Sequence, residues 1–177
     1  GLVETLTNRG GYEPDEQFLQ EHPNAVIVSG SEDLPADKEA FKGVVPADAP
    51  LKLLDRFEGR LINKLWSVNM RHASMALYSE FLGGTQMWRV AQDPYSCMCI
   101  DEAGEDALFA DTREFDFTVE ELEAGSKDMR YQEYWKKLQK KQDKDSVYRV
   151  AADPIRKLEK EERMVGPALA CIRHGKL

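Results

Sequence analysis

The sequence lacks any apolar run able to cross a bilayer: its uncharged stretches, such as Ala25-Val26-Ile27-Val28, fall far short of the roughly 18 residues that a spanning helix needs. No basic segment leading into an apolar one opens the chain, so no secretory signal is expected and a cytoplasmic location is. Basic charge is also in deficit. Lys and Arg total 24 against 32 Asp and Glu, a net charge of −8 and the wrong sign for tracking a phosphate backbone. Neither nucleic acid nor a membrane is an expected partner. Cysteine is scarce. Cys97, Cys99 and Cys171 are odd in number, and Cys97-x-Cys99 is tighter than zinc-ligand spacing, with no histidine beside it. Reduced thiols and no metal are expected.

What is present is a chain of 177 residues, 42% of them hydrophobic, enough for one domain with its own core. Residues 1–23 are polar and hold Gly10-Gly11, Pro14 and Pro23 around a short predicted helix over 15–21, which marks a surface segment with freedom to move. Residues 24–177 are read as the domain proper. The β-branched run 25–28 predicts a strand, followed by a loop with Pro35, Pro46 and Pro50. Residues 51–82 contain no proline, are rich in Leu, Met, Ala, Arg and Lys, and close on Gly83-Gly84; they predict one long central helix. Unbroken, it would run roughly 48 Å, so a kink is expected near Gly59 or Asn69.

Further on, 85–92 predicts another helical turn or two, whereas 101–110 is acidic and only weakly periodic. Thr118-Val119-Glu120-Glu121 has the form of a capping box, opening a helix interrupted near Gly125-Ser126 and resumed over 128–142. Lys136, Lys137, Lys140, Lys141 and Lys144 read as its solvated face. Residues 146–150 suit a short extended connection, Asp153-Pro154 a turn or helix start, and 159–173 a last helix bent or divided at Gly166-Pro167. With no internal repeat, the expected fold is a single mainly α domain with a small β element near the N-terminus.

Chemistry is most legible on the long helix. Lys64 occupies a position of its apolar stripe, where a lysine ordinarily snorkels. Asn69 and His72 lie five and eight residues on, roughly 140° and 80° around an α-helix from Lys64. All three can face one cleft. Lys64 and His72 would be roughly 12 Å apart along a straight helix, so convergence requires the lysine's reach or a local distortion.

Two segments carry a family resemblance. NKLWSVNMRHA at 63–73 resembles the Lys-x4-Asn-x2-His signature of the polyol-specific long-chain dehydrogenases (mannitol dehydrogenase family), nearest its mannitol-1-phosphate branch. YRVAADPIRKLEKEERMVGPAL at 148–169 resembles that family's Arg-Val-x-x-Asp-Pro-Ile-Arg-Lys-Leu segment and the Arg-x-x-x-Pro-Ala helix after it. KEAFKGVVP at 38–46 resembles the entry into the family's C-terminal domain.

The resemblance, covering 24–174, implies a multi-helical C-terminal substrate domain like that of 6-phosphogluconate dehydrogenase. Its enzyme would be a two-domain NAD-dependent oxidoreductase that interconverts a sugar alcohol phosphate and a ketose phosphate without a metal. It implies Lys64 as general base, Asn69 as donor to the alkoxide-like oxygen, His72 as the group that holds the reacting oxygen or orients a neighbouring hydroxyl, and Arg149 and Lys157 as contacts for the distal part of the substrate. NAD would bind mainly to an N-terminal Rossmann domain, and no Gly-x-Gly-x-x-Gly after a strand occurs in this sequence. The chain is thus expected to be the substrate half of such an enzyme, inactive by itself. Two rival readings are a stand-alone binding or assembly domain and a hexuronate reductase domain. The sequence departs from the family at Met70-Arg71, where Thr-Gly is common, which predicts bulk and charge beside Asn69.

Overall fold

The computed structural model describes residues 2–7, 10–12, 14–29, 34–123, 131–140 and 145–176. Internal packing divides the chain into two units, 1–57 and 58–177. In the first, β1 (Gly10–Tyr12) is followed by α1 (Glu16–Glu21), which opens on the Asp15 carboxylate accepting from the Phe18 N–H at 2.9 Å. β2 (Ile27–Ser29) returns antiparallel to β1, with Gly11 opposite Val28. The strand expected at 25–28 therefore starts two residues later.

β3 (Leu34–Asp37) and β4 (Leu51–Leu54) pair in parallel, Leu34 opposite Leu51. This pair corrects two expectations, a loop around Pro35 and a helix beginning at residue 51. Leu and Lys at 51–54 favour a helix locally, but the long-range ladder decides: Leu34 N–H donates to Pro50 C=O at 2.9 Å and Lys38 N–H to Leu54 C=O at 3.1 Å. Thr5 bridges Ala36 from the other side, burying Leu6 and Ala36.

From residue 57 onward the described chain is helical. α2 (Phe57–Asn63), a π-helical turn (Lys64–Asn69) and α3 (Met70–Phe81) follow without interruption and form one rod. Gly59 does not bend it. A Cβ there would lie 2.6 Å from the Phe117 ring, so the glycine admits that ring against α2. The departure from α geometry instead falls on 64–69, where the Met70 N–H reaches back five residues to Leu65 C=O.

A 3₁₀ turn (Met87–Gln92) leads into α4 (Pro94–Glu114), 21 unbroken residues capped by Asp93, whose carboxylate accepts from the Ser96 N–H at 3.0 Å. Its weak sequence periodicity has a structural cause: Gly104, Ala107 and Ala110 form much of the buried side, a face of small residues that carries little hydrophobic signal. α5 (Val119–Glu123) opens on the expected capping box, with Thr118 N–H donating to Glu121 Oε2 at 2.8 Å and Glu121 N–H to Thr118 Oγ1 at 3.2 Å. The interruption near Gly125-Ser126, and Lys141 and Lys144, lie outside the described residues. In α6 (Tyr131–Gln139), Lys136 and Lys137 are exposed, as is Lys140 just after it.

α7 (Val147–Ala151) replaces the extended connection expected at 146–150. Its Val and Tyr residues favour strand, but Ser146 caps the turn by accepting from the Arg149 N–H at 3.2 Å. Of the turn or helix start expected at Asp153-Pro154, the structure has the helix start, α8 (Pro154–Lys157). The last helix is shorter than predicted: α9 (Val165–Arg173) follows a run of turns over 159–164, and Gly166-Pro167 lie within its first turn, where a missing N–H leaves no intrahelical bond unmade.

Two apolar clusters hold this unit together. Trp66 and Met70 of the rod meet Ala107 and Ala110 of α4 and Ala170 and Cys171 of α9. Met75, Met87, Val90, Ile100, Trp135, Leu138 and Val150 form the other. Full burial of each Met, Ile, Leu or Val is worth about 1.5–3 kcal/mol, so these contacts fix the rod between α4 on one side and α7 on another.

Candidate functional site

The π turn lies between Asn63 and Met70 and carries both Lys64 and Asn69. Ser67 Oγ donates to Asn63 C=O at 2.5 Å, and the Trp66 indole donates to Glu161 C=O at 3.3 Å. A Cβ on Gly166 would stand 2.5 Å from Trp66 Nε1, so a glycine there lets α9 close on the indole. The segments 63–73 and 148–169, distant in sequence, are thereby in contact.

Lys64 and Asn69 are each partly buried. Burial lowers the Lys64 ammonium below the ordinary lysine range, because the charged form loses hydration. His72, in the first turn of α3, places Nε2 3.4 Å from Asp145 Oδ2. Asp145 is also gripped by Arg149, whose Nε donates to Oδ1 at 2.7 Å and whose Nη2 pairs with both carboxylate oxygens. Burial alone would raise the Asp145 carboxyl; hydrogen bonds from His72 and Arg149, with the guanidinium charge, outweigh it and bring the group down to about 2.

His72 and Arg149, both read from the sequence, are thus joined through Asp145, which was not. The available signal was the Asp145/Arg149 spacing of four residues, the separation at which opposite charges meet along a helical path. Lys157, on α8, is buried at 6% exposure, with Nζ 3.5 Å from Asp153 C=O. Desolvation lowers its ammonium, and the charges of Arg163 and Arg156 push the same way.

Arg71 does not crowd Asn69 as the Met70-Arg71 departure predicted. Its guanidinium turns to α4 and lies over Gly104, where a Cβ would be 1.7 Å from Arg71 Nε. Only 6% of the residue is exposed, Glu105 stands 4.0 Å away, and burial lowers the guanidinium to about 10. Sequence reasoning also missed Asp111. This fully buried carboxylate accepts from Asn63 Nδ2 at 2.8 Å, immediately before the π turn, and desolvation raises it to about 7 against the smaller opposing effect of Asn63.

Two grooves, of about 530 and 470 Å³, are lined by other residues, the first by Phe109, Arg113 and Lys176 among others, the second by Cys97 and Trp135 among others. Cys97, Cys99 and Cys171 are free thiols, and burial pushes Cys97 up to about 11, away from thiolate chemistry. Among the described residues no three His, Cys, Asp or Glu side chains converge as metal ligands, and no helix is long and apolar enough to cross a membrane.

In a mainly helical fold, a rod bearing Lys-x4-Asn-x2-His packed against a second segment of Arg-x7-Lys pattern makes the chain similar to the C-terminal domain of the polyol-specific long-chain dehydrogenases. No family model matches it. Its curated relatives are nevertheless specific: the mannitol-1-phosphate 5-dehydrogenase of Aspergillus niger is 26% identical over 98% of this chain and 45% of that protein. The enzyme of the same name from Alternaria alternata is 26% identical over 91% of the chain and 41% of its own length, and that of Brevibacillus brevis 28% over 89% and 40%. The chain thus spans less than half the length of these relatives.

Proposed function

We propose that this chain is the substrate-binding and proton-transfer domain of an NAD-dependent polyol phosphate dehydrogenase that interconverts mannitol 1-phosphate and fructose 6-phosphate. The observation that carries this reading is the π turn itself. It distorts the helix within the Lys-x4-Asn-x2-His motif, and its half-buried lysine is shifted toward the neutral form that a base requires.

Lys64 Nζ takes the hydroxyl proton as the carbon is oxidised and returns it in the reverse direction. Asn69 donates a hydrogen bond to the oxygen while it carries alkoxide character. His72 orients that oxygen or the neighbouring hydroxyl, and Arg149 and Lys157 supply cationic contacts for the distal phosphate. Among the described residues, the turn that leads from a strand into a helix does not fit a dinucleotide cradle. The turn from β4 to α2 is Asp55-Arg56 without glycine, and Gly59 beyond it is covered by Phe117. In this reading the nicotinamide is held mainly by an N-terminal domain, and this chain's share is substrate binding and proton handling.

Two measurements on the chain test the reading. Calorimetric titration with fructose 6-phosphate should show binding that Arg149→Ala or Lys157→Ala weakens at least about tenfold, the loss expected for a charge-assisted contact. The Lys64 ε-carbon resonance should titrate below the ordinary lysine value. No sugar-phosphate binding, or a Lys64 that titrates as a solvated lysine, would overturn it and favour a binding or assembly domain.

A further inference from the structure

We propose that Asp145 is a positioning residue for His72, holding the imidazole by Nε2 so that Nδ1 is the nitrogen presented to substrate. The inference rests on the reading of His72 as a substrate-orienting group. Three observations carry it.

First, Asp145 is fixed by its backbone. Its C=O accepts from the Met87 N–H at 3.2 Å, the Val147 N–H donates to Thr85 C=O at 3.0 Å, and Ser146 bridges Gln86. Met87 is wholly buried in the core, so the carboxylate is mounted on a rigid support at the start of α7. Second, the carboxylate is oriented. Arg149 engages both oxygens, leaving Oδ2 shared with the imidazole at 3.4 Å, and side-chain exposure at Asp145 is 17%. Third, a carboxylate so held stays ionised and accepts hydrogen bonds only.

A neutral imidazole has one donor nitrogen and one acceptor. With an acceptor fixed at Nε2, the proton resides there, and Nδ1 is left to accept a hydrogen bond from a substrate hydroxyl. The division of labour with Asn69 follows: the amide donates to the reacting oxygen while the imidazole accepts a hydrogen bond from an adjacent hydroxyl. A vicinal diol is the unit that meets both demands. The specificity this predicts is for a hydroxyl next to the carbon oxidised, so that a substrate deoxygenated there loses the Nδ1 contact.

Imidazole ¹⁵N–¹H spectroscopy of the 177-residue chain tests the proposal, with His72→Gln identifying the His72 signals among those of His22 and His174. The wild-type His72 ring should be in the Nε2–H form with a protected proton. Asp145→Asn should speed exchange of that proton at least about tenfold, the effect of losing a hydrogen bond to a charged group, with the other two histidines unmoved. A wild-type ring carrying its proton on Nδ1 overturns the proposal, even if the variant fails to fold. Unchanged exchange in a folded Asp145→Asn protein also overturns it. Fructose 6-phosphate titration keeps the two readings apart: absence of binding counts against the proposed function and leaves the ring spectrum to decide the role of Asp145.

Discussion

Asp111 and Asp145 both touch the rod of α2, π turn and α3, from different sides, and they differ in ionisation by far more than their shared chemistry implies. Asp111 is fully buried beside an amide, Asn63, and is raised to about 7; Asp145 stands at the α7 side between His72 and Arg149 and is lowered to about 2. Burial acts in the same direction on both. What separates them is the partner: one amide donor offsets little of the desolvation, whereas an imidazole and a guanidinium together overcome it. The α4 side of the rod is therefore a place where charge is disfavoured, and the α7 side one where it is fixed.

The largest expected effect breaks the Asp111 half of this contrast. A carboxyl at about 7 in the folded chain and 3.8 when unfolded stabilises the fold most below the unfolded value, and that contribution is lost as pH rises toward the folded one. Urea denaturation should show a decline across that window of up to about 4 kcal/mol from this group, and Asp111→Asn should flatten it. An equal slope in the variant would mean that Asp111 ionises normally.

Next in size, Gly104→Ala should destabilise by about 1–3 kcal/mol, because the new methyl collides with the buried Arg71 guanidinium. That exceeds the gain of up to about 1 kcal/mol from replacing a mid-helix glycine. Adding Arg71→Ala should relieve the clash; strictly additive losses in the double variant would show that the two residues do not share this space.

The smallest effect falls on the α7 side. Arg149→Ala should cost under about 1 kcal/mol, since the arginine side chain is 65% exposed and its attraction is screened, and raising salt should shrink the difference further. Asp145 contributes its stability above its unfolded value of 3.8, and that contribution is lost as pH falls toward about 2; without Arg149 the loss should begin at higher pH.

The candidate site was unevenly legible in the sequence. Lys64, Asn69, His72, Arg149 and Lys157 stood out because their spacing matched a resemblance, and the helix carrying the first three announced itself by propensity and by its glycine stop. Asp145 stayed hidden because its partner His72 is 73 positions away and only the fold joins them. α4 was obscured for the opposite reason: small residues make the closest packing and the faintest periodic signal. β3 and β4 could not be read locally at all, since leucine and lysine at 51–54 prefer a helix until residues 34–37 supply the other edge. Arg71 was placed beside Asn69 from adjacency alone, whereas Gly104 across the packing interface decides where its guanidinium goes.

The π turn has a consequence for chain length. A helix closing bonds to the fifth residue back holds one residue more than the α path would, and each residue amounts to about 100° of rotation. Excising one residue from 64–69 as the segment relaxes to α geometry would leave α3 aimed much as it is, but relaxing with every residue kept would turn all of α3 relative to α2 by about that angle. Arg71 would leave Gly104, and His72 would leave Asp145. The aim of those side chains is thus written in a count of residues as well as in their identities, and the π turn is what lets the extra residue be carried without mis-setting the helix beyond it.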